Sequence, residues 1–312
     1  MGLGTWQLGA DWGAVREQDA FAVLDAAVAG GVDFFDTADV YGDGRSEQLI
    51  GRYLRERPNS GVFVATKMGR RAEQLPESYV LDNFRAWNDR SRRNLGVDRL
   101  DLVQLHCPPD AVYADHAVFD ALDTLVAEER IAAYGVSVET CEQALAAIAR
   151  PGTASVQIIL NPFRLKPLEQ VLPAAEQAGV GIIARVPLAS GLLTGRYTRD
   201  TVFGPDDHRS YNRHGEAFDQ GETFSGIDFE TGVAAAAEFA ELAPEGATPA
   251  QTALRWIIQQ PGVSSVIPGA RSAAQAQANA AAAALPPLTG PTLDAIRDLY
   301  DLSIRAQVHH RW

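Results

Sequence analysis

Short apolar runs recur along this chain at near-even spacing, each followed by a stretch with helical periodicity. This alternation restricts the fold more than any other feature. The runs cover residues 2–9, 32–35, 62–66, 100–105, 132–136, 155–159, 180–184 and 264–267, each long enough for one buried strand. Between them lie amphipathic patterns. Phe21, Leu24, Ala27 and Val28 share one face and stop at Gly30-Gly31. Leu49, Ile50, Tyr53 and Leu54 share another. Val80, Phe84, Trp87, Ser91 and Leu95 run up to Gly96, a helix-ending residue. Thr248-Pro249-Ala250-Gln251 reads as an N-cap, an N1 proline and a capping-box glutamine. Eight strands alternating with helices predict one domain over residues 1–312, a single (β/α)8 TIM barrel with a parallel sheet. A doubly wound sheet is the rival, but the first strand-to-helix turn has no Gly-x-Gly-x-x-Gly.

The strand-end positions Asp36, Thr66, His106, Ser137, Gln157 and Arg185 follow one another evenly, whereas the gap from Arg185 to strand eight is long. Residues 190–231 therefore form a long inserted loop between strands seven and eight, with Tyr197, Phe203, Tyr211, Phe218 and Phe224 among its polar residues. A loop of this length inside a compact domain points to a lid or clamp. The net charge of −13 and the lack of any basic block argue against nucleic acid or an anionic membrane surface as partner. Cys107 and Cys141 give neither a disulfide framework nor a metal-ligand spacing. With no leader-like segment and no membrane-length apolar run, a cytoplasmic location is expected.

In a barrel of this kind the reacting groups sit at the C-terminal ends of the strands. Asp36 ends strand two, Lys67 is delivered by strand three and His106 by strand four. Tyr41 lies in the loop five positions after Asp36. Of 27 basic residues only Lys67 and Lys166 are lysines, so a lysine at a strand end stands out. Each residue alone has a structural explanation: a surface lysine, a core histidine, an Asp-Thr turn with a half-buried tyrosine. Together they suit proton transfer to a carbonyl as hydride arrives. A phenol with a pKa of about 10 is a poor acid near neutrality. A neighbouring ammonium is expected to lower that pKa, Asp36 to hold the ammonium charged, and His106 to hydrogen-bond the carbonyl oxygen. The alternative use of Lys67, as a Schiff-base nucleophile, is less natural beside a carboxylate and a phenol.

The sequence resembles the aldo-keto reductase superfamily over nearly its whole length, in the branch of bacterial members and the potassium-channel β subunits. The carriers are Gly2-Leu-Gly-Thr-Trp-Gln-Leu-Gly9, Phe35-Asp-Thr-Ala-Asp-Val-Tyr-Gly42 with Ser46-Glu47, Ala65-Thr-Lys-Met68 and Asp101-Leu-Val-Gln-Leu-His106. Gly135-Val-Ser137, Pro187-Leu-Ala-Ser-Gly-Leu-Leu-Thr-Gly195 and Val266-Ile-Pro-Gly-Ala-Arg271 complete them. The resemblance implies an NADP(H)-dependent carbonyl reductase or alcohol dehydrogenase whose catalytic tetrad is Asp36, Tyr41, Lys67 and His106. Its substrate would be a small aldehyde, ketone or sugar-like carbonyl, or the corresponding alcohol. The alternative from a different class is an NADPH-binding redox sensor with slow turnover that regulates a partner.

Carried over residue by residue, Ser137 and Gln157 would hold the nicotinamide carboxamide, and Leu188, Ser190 and Gly191 would wrap the pyrophosphate. Thr5, Trp6, Asp36, Arg185, Pro187 and Leu193 would also line the cofactor. Gly269 and Arg271 would take the 2′-phosphate, and Gln275 and Asn279 would reach the adenine. A helix N-terminus beside an arginine is a ready anion site on physical grounds as well. Ser272-x-x-Gln275 can equally be read as a plain capping box. The chain departs from the family pattern in three places. Arg185 stands where an aromatic residue often stacks on the nicotinamide. Ser137-Val138 replaces a Ser-Asn pair. The usual N-terminal hairpin under the barrel is not seen ahead of strand one, with a misassigned start or a truncation as the expected reason. For the substrate pocket, Trp6, Trp12, Tyr41, Met68 and the loop aromatics offer an apolar wall, whereas Arg70, Arg71 and Asp11 would suit a polyol or a charged carbonyl.

Overall fold

Periodicity of two along the strands decides what faces the middle of this molecule. The computed structural model describes residues 1–9 and 15–312; Asp11 and Trp12 lie outside the described residues. Eight parallel strands form one sheet in chain order: β1 (Gly2–Gly4), β2 (Phe34–Asp36), β3 (Phe63–Met68), β4 (Leu100–His106), β5 (Ile131–Ser137), β6 (Thr153–Ile159), β7 (Gly181–Arg185) and β8 (Val263–Val266). The sheet closes just past β8, where Gly4 bridges Gly269 and the Gly4 N–H donates to the Pro268 carbonyl at 3.0 Å. The expected (β/α)8 barrel is therefore present.

The surrounding helices are α1 (Glu17–Ala29), α2 (Arg45–Glu56), α3 (Leu81–Leu95), α4 (Asp110–Ala114), α5 (His116–Ala127), α6 (Cys141–Ile148) and α7 (Val171–Ala178). After β7 come α8 (His208–Tyr211), α9 (Phe229–Glu241) and α10 (Pro249–Ile258), and after β8 come α11 (Ala273–Ala281), α12 (Gly290–Leu299) and α13 (Arg305–Val308). Their ends follow local chemistry. Gly96 stops α3 in the left-handed region at φ 71, its N–H returning to the Arg92 carbonyl. The Thr248 hydroxyl accepts from the Gln251 N–H at the start of α10 while the Gln251 side chain accepts from the Thr248 N–H. On α3 the buried residues Phe84, Asn88, Ser91 and Leu95 recur at helical spacing against the barrel wall. Burying a side chain the size of Phe84 contributes about 1.5–3 kcal/mol. Among the described residues, no helix is long and apolar enough to cross a membrane.

Inside the barrel, Ala65, Leu102, Ile183 and Ile267 form one apolar cluster with Phe34 and Ala133 packed against it. Residues two further along a strand share the same face, so the next positions toward the C-terminal rim are Asp36, Lys67, Gln104 and Arg185, followed by His106 on β4. The apolar layer is thus the floor of a polar one. Two strand assignments shift. β1 ends at Gly4, and residues 6–9, expected in the strand, wind into a 3-10 turn from Trp6 to Gly9. That turn packs closely on the next loop: a Cβ on Gly9 would sit 2.7 Å from the Tyr41 carbonyl carbon. β2 starts two residues later than expected, and Lys67 lies within β3 rather than beyond it.

The segment between β7 and α10 is folded throughout its length. It carries a 3-10 turn at Ala189–Thr194, then α8, two more such turns at Gln220–Glu222 and Phe224–Gly226, and α9. Phe203, Phe224 and Phe229 form an aromatic knot with centroid separations of 5.0–5.8 Å, and Phe218 leans edge-on against Trp6 at 6.0 Å. Trp312 props the same segment from behind, donating its indole N–H to Asp219 at 3.1 Å and stacking over Arg164.

Candidate active site

Lys67 joins the group together. Its ammonium donates to Asp36 Oδ1 at 2.5 Å, to the Thr37 carbonyl at 2.9 Å and to the Tyr41 hydroxyl at 3.3 Å. Lys67, Asp36 and His106 are buried and Tyr41 is half-buried. The Tyr41 ring stands edge-on to His106, with centroids 6.0 Å apart at 87°, and stacks on Trp6 at 6.1 Å. The structure therefore brings the four residues singled out in the sequence to one rim of the barrel. Tyr41 is held there by backbone contact. Gly42 has φ +57, and a Cβ on it would lie 1.9 Å from the Gly9 carbonyl oxygen, so glycine is required at that position.

Further polar side chains fix the tetrad from below. Asp36 Oδ2 accepts from Gln157 Nε2 at 2.7 Å and from Gln104 Nε2 at 3.3 Å. The Thr5 hydroxyl donates to the Asp36 carbonyl at 2.8 Å and lies 2.9 Å from Ser46 Oγ. Sequence reasoning missed Gln104, although a glutamine on the inward face of an apolar strand was a readable signal. It also missed Glu139 and Glu222, which meet Arg70 and Arg185 at the mouth. Glu222 lies in the inserted segment, where no periodicity marks it.

The electrostatics set the protonation states. Burial pushes the Tyr41 phenol above its ordinary value of 10; the Lys67 charge works against this, and Asp36 and Glu222 add to it. The expected lowering by Lys67 is therefore present in direction but outweighed by desolvation. Burial works to lower the Lys67 pKa, yet Asp36 and Tyr41 outweigh it and the ammonium is held above its ordinary value. A lysine held charged by three acceptors is poorly suited to act as a Schiff-base nucleophile. Burial, then the charges of Arg70, Lys67 and Arg185, push His106 well below its usual range, so the imidazole is neutral. Its Nε2 faces Arg70 Nη1 at 3.4 Å, and its Nδ1 is buried without a hydrogen-bond partner. Asp39, two residues before Tyr41, is buried, and desolvation aided by Glu47 pushes its carboxyl up to about 7.

The residues expected around a cofactor lie along the same rim. Ser137 ends β5 and takes the Cys107 thiol on its hydroxyl at 3.5 Å. Arg185 ends β7 and donates to the Val138 carbonyl at 3.0 Å. Pro187, Leu188, Ser190 and Gly191 follow in the loop after β7. Leu193 in that loop and Thr5 after β1 are both fully buried. Gln157 is turned onto Asp36, as described above. Around α11, Gln275 accepts from the Arg271 N–H at 2.7 Å, Ser272 Oγ accepts from the Gln275 N–H at 3.2 Å, and Asn279 donates to the Gly269 carbonyl at 3.1 Å. The glutamine thus reaches one residue further than a capping box requires. Left-handed backbone gathers at this mouth, with φ 48 at Cys107, 51 at Val186, 47 at Ala189 and 53 at Ser190. Such conformations in residues other than glycine cluster at functional sites.

Comparison with known proteins agrees with this arrangement. Residues 1–301 match the model of the Aldo/keto reductase family. An aldo-keto reductase of Strobilurus tenacellus is 32% identical over 300 residues, covering 94% of this chain and 84% of the relative. The glycerol dehydrogenase of Gluconobacter oxydans superposes with a TM-score of 0.79 at 31% identity, covering 97% of this chain and 91% of that one. An aldo-keto reductase of Klebsiella pneumoniae, solved in complex with NADPH, gives a TM-score of 0.71 at 28% identity, covering 96% and 90%.

Proposed function

The chain belongs to the aldo/keto reductase family, and from that premise we propose that it is an NADP(H)-dependent oxidoreductase that interconverts a small carbonyl compound and its alcohol, with Tyr41 as the acid and base. The observation that carries this reading is the single Lys67 ammonium shared between Asp36 and the Tyr41 hydroxyl. NADP(H), when bound, supplies or accepts the hydride at the carbonyl carbon. Tyr41 gives its proton to the carbonyl oxygen, and Lys67 stabilises the phenolate left behind. Asp36, fixed by Gln104 and Gln157, keeps the ammonium charged and aimed. His106, neutral, has one ring N–H with which to orient the carbonyl oxygen; an imidazolium there would compete with Tyr41 as the proton donor.

The groups suited to the cofactor fit it. Arg185 Nε and Gln7 Oε1 are buried without a hydrogen-bond partner, and the ideal Cβ position of Gly269 falls 2.4 Å from that same Gln7 oxygen. In the loop after β7, Val186 and then Ala189, Ser190 and Gly191 in succession are left-handed, a backbone that can turn N–H groups toward an anion. Arg271, at the entrance to α11, suits a phosphate through its planar fork and favours NADP(H) over NAD(H). We therefore assign Ser137, Arg185, Leu188, Ser190, Gly191, Gly269 and Arg271 to cofactor binding.

Following nicotinamide absorbance against a panel of aldehydes, ketones and polyols tests the proposal. Turnover of at least one carbonyl, faster with NADPH than with NADH, is expected. Tight NADPH binding with no turnover on any member would overturn the enzyme reading in favour of a sensor. The raised phenol pKa also sets the pH dependence. An acid whose pKa is raised keeps its proton up to that value, so kcat for reduction should stay flat from pH 7 to about 10. Oxidation needs the phenolate, so its kcat should climb over the same interval. A reduction rate that falls away below pH 9 would contradict this assignment.

A further inference from the structure

Two guanidinium groups meet at the barrel mouth beside His106. Arg70, just past β3, places Nη1 3.4 Å from His106 Nε2 and 3.3 Å from Glu222 Oε1. Arg185 places its Nη1 3.3 Å from that same oxygen. Arg70 also reaches Glu139 Oε1 at 3.6 Å. The Arg70, Arg185 and Glu222 side chains are only 22%, 9% and 11% exposed. One carboxylate oxygen thus bridges two arginines. One nitrogen, Arg70 Nη1, touches both that oxygen and the imidazole assigned to the substrate carbonyl.

The two sides of this ion cluster come from different parts of the fold. Arg70, Arg185 and Glu139 follow or end barrel strands, whereas Glu222 sits in the inserted segment on a single 3-10 turn. That turn is tied down by the Ser190 hydroxyl, which donates to the Glu222 carbonyl at 2.9 Å. Cys107, Glu139 and Glu222 bring one donor atom each within 4.8 Å of one another, a spacing that would suit a cation. Two guanidinium groups already press on those carboxylates, however, and a metal ion would have to displace both. What the arginine pair presents is a place already built around one carboxylate oxygen.

We propose that Arg70 and Arg185 form a carboxylate-recognition subsite, filled in the free chain by Glu222 as an internal stand-in, and that the preferred substrates are short oxo acids. The inference rests on the carbonyl-reductase reading above and narrows its substrate class. Entry of such a substrate exchanges one carboxylate for another, so the arginine pair keeps its counter-ion and no covalent bond changes. The planar fork of an arginine matches a carboxylate in a way a neutral polyol does not. Because a single guanidinium nitrogen separates the anion from the imidazole, the carboxylate and the carbonyl must lie only a few bonds apart.

The test compares kcat/KM for 4-oxobutanoate and for its methyl ester, with NADPH, in the wild type and in Arg70→Met. In parallel, calorimetry follows the binding of succinate, which has no aldehyde to reduce, to the wild type, Arg70→Met and Glu222→Gln. The wild type should prefer the acid by about ten- to a hundred-fold, the worth of a charge-assisted contact, and the ratio should fall toward one in Arg70→Met. Succinate should bind Glu222→Gln several-fold more tightly than the wild type and be lost from Arg70→Met. Should Arg70→Met fail to fold, Arg70→Lys keeps the charge without the fork and should give an intermediate ratio. Ester used as well as acid, or succinate binding indifferent to both substitutions, overturns the subsite while ester turnover keeps the reductase reading intact. Turnover of neither compound counts against the reductase reading instead, and succinate binding then decides the subsite by itself.

Discussion

Replacing Tyr41 with phenylalanine should lower kcat for carbonyl reduction by about 10²- to 10⁴-fold, the usual worth of a positioned acid, while the affinity for NADPH changes little. The substitution removes one hydroxyl and leaves the ring. Its stacking on Trp6 and its edge contact with His106 do not involve the oxygen, and the backbone approach of Gly42 to Gly9 keeps the loop in place. Among the described residues, neither Lys67 nor His106 can take over the proton transfer. Lys67 is held charged by Asp36 and aimed at the Thr37 carbonyl, and His106 is neutral with its charged form strongly disfavoured. The loss should therefore appear in turnover rather than in KM for the cofactor. A loss of that size corresponds to roughly 3–5 kcal/mol of transition-state stabilisation. The pH dependence supplies a second readout: whatever oxidative activity remains in Tyr41→Phe should no longer rise with alkaline pH. Near-normal turnover in this variant would remove Tyr41 from the role given to it.

The tetrad was legible in the sequence because strands write their geometry in steps of two. Asp36, Lys67 and His106 each lie on the inward face of their strand, so the ends of apolar runs pointed to the rim on which they meet. Glycine and capping chemistry marked the ends of α3 and α10 for the same local reason. What periodicity could not supply was long-range pairing. Glu222 meets Arg70 across 152 residues, and its turn carries no repeating pattern. α9 was missed because its alanine-rich run gives little contrast between faces. β1 was overread because a 3-10 turn with Trp6 and Leu8 looks like a strand when only apolar residues are counted. The phenol was misjudged for a different reason. The sequence shows that an ammonium is near, but not how little water reaches the pair, and here desolvation is the larger effect.

Lys67→Met should be the most damaging substitution in the barrel, because it strips a buried carboxylate of its counter-ion. The Asp36 side chain is 3% exposed and its Oδ1 receives the ammonium at 2.5 Å. Methionine fills similar space but offers no donor to Oδ1 or to the Thr37 carbonyl. Gln104 and Gln157 still serve Oδ2, and two neutral amides do not balance a full charge. Breaking a buried pair in this way costs about 3–5 kcal/mol, which denaturant unfolding should show as a lower midpoint with a similar slope. Adding Asp36→Asn removes the stranded charge. The double variant should therefore be more stable than Lys67→Met alone, a non-additivity that only directly coupled residues show. Activity should not return with stability, because Tyr41 still lacks the cation that stabilises its phenolate, and the oxidative direction, which starts from the phenolate, should suffer most. If the double variant is as unstable as the sum of the two single ones, Lys67 and Asp36 are not coupled, and the charge on Lys67 must be maintained by some other group.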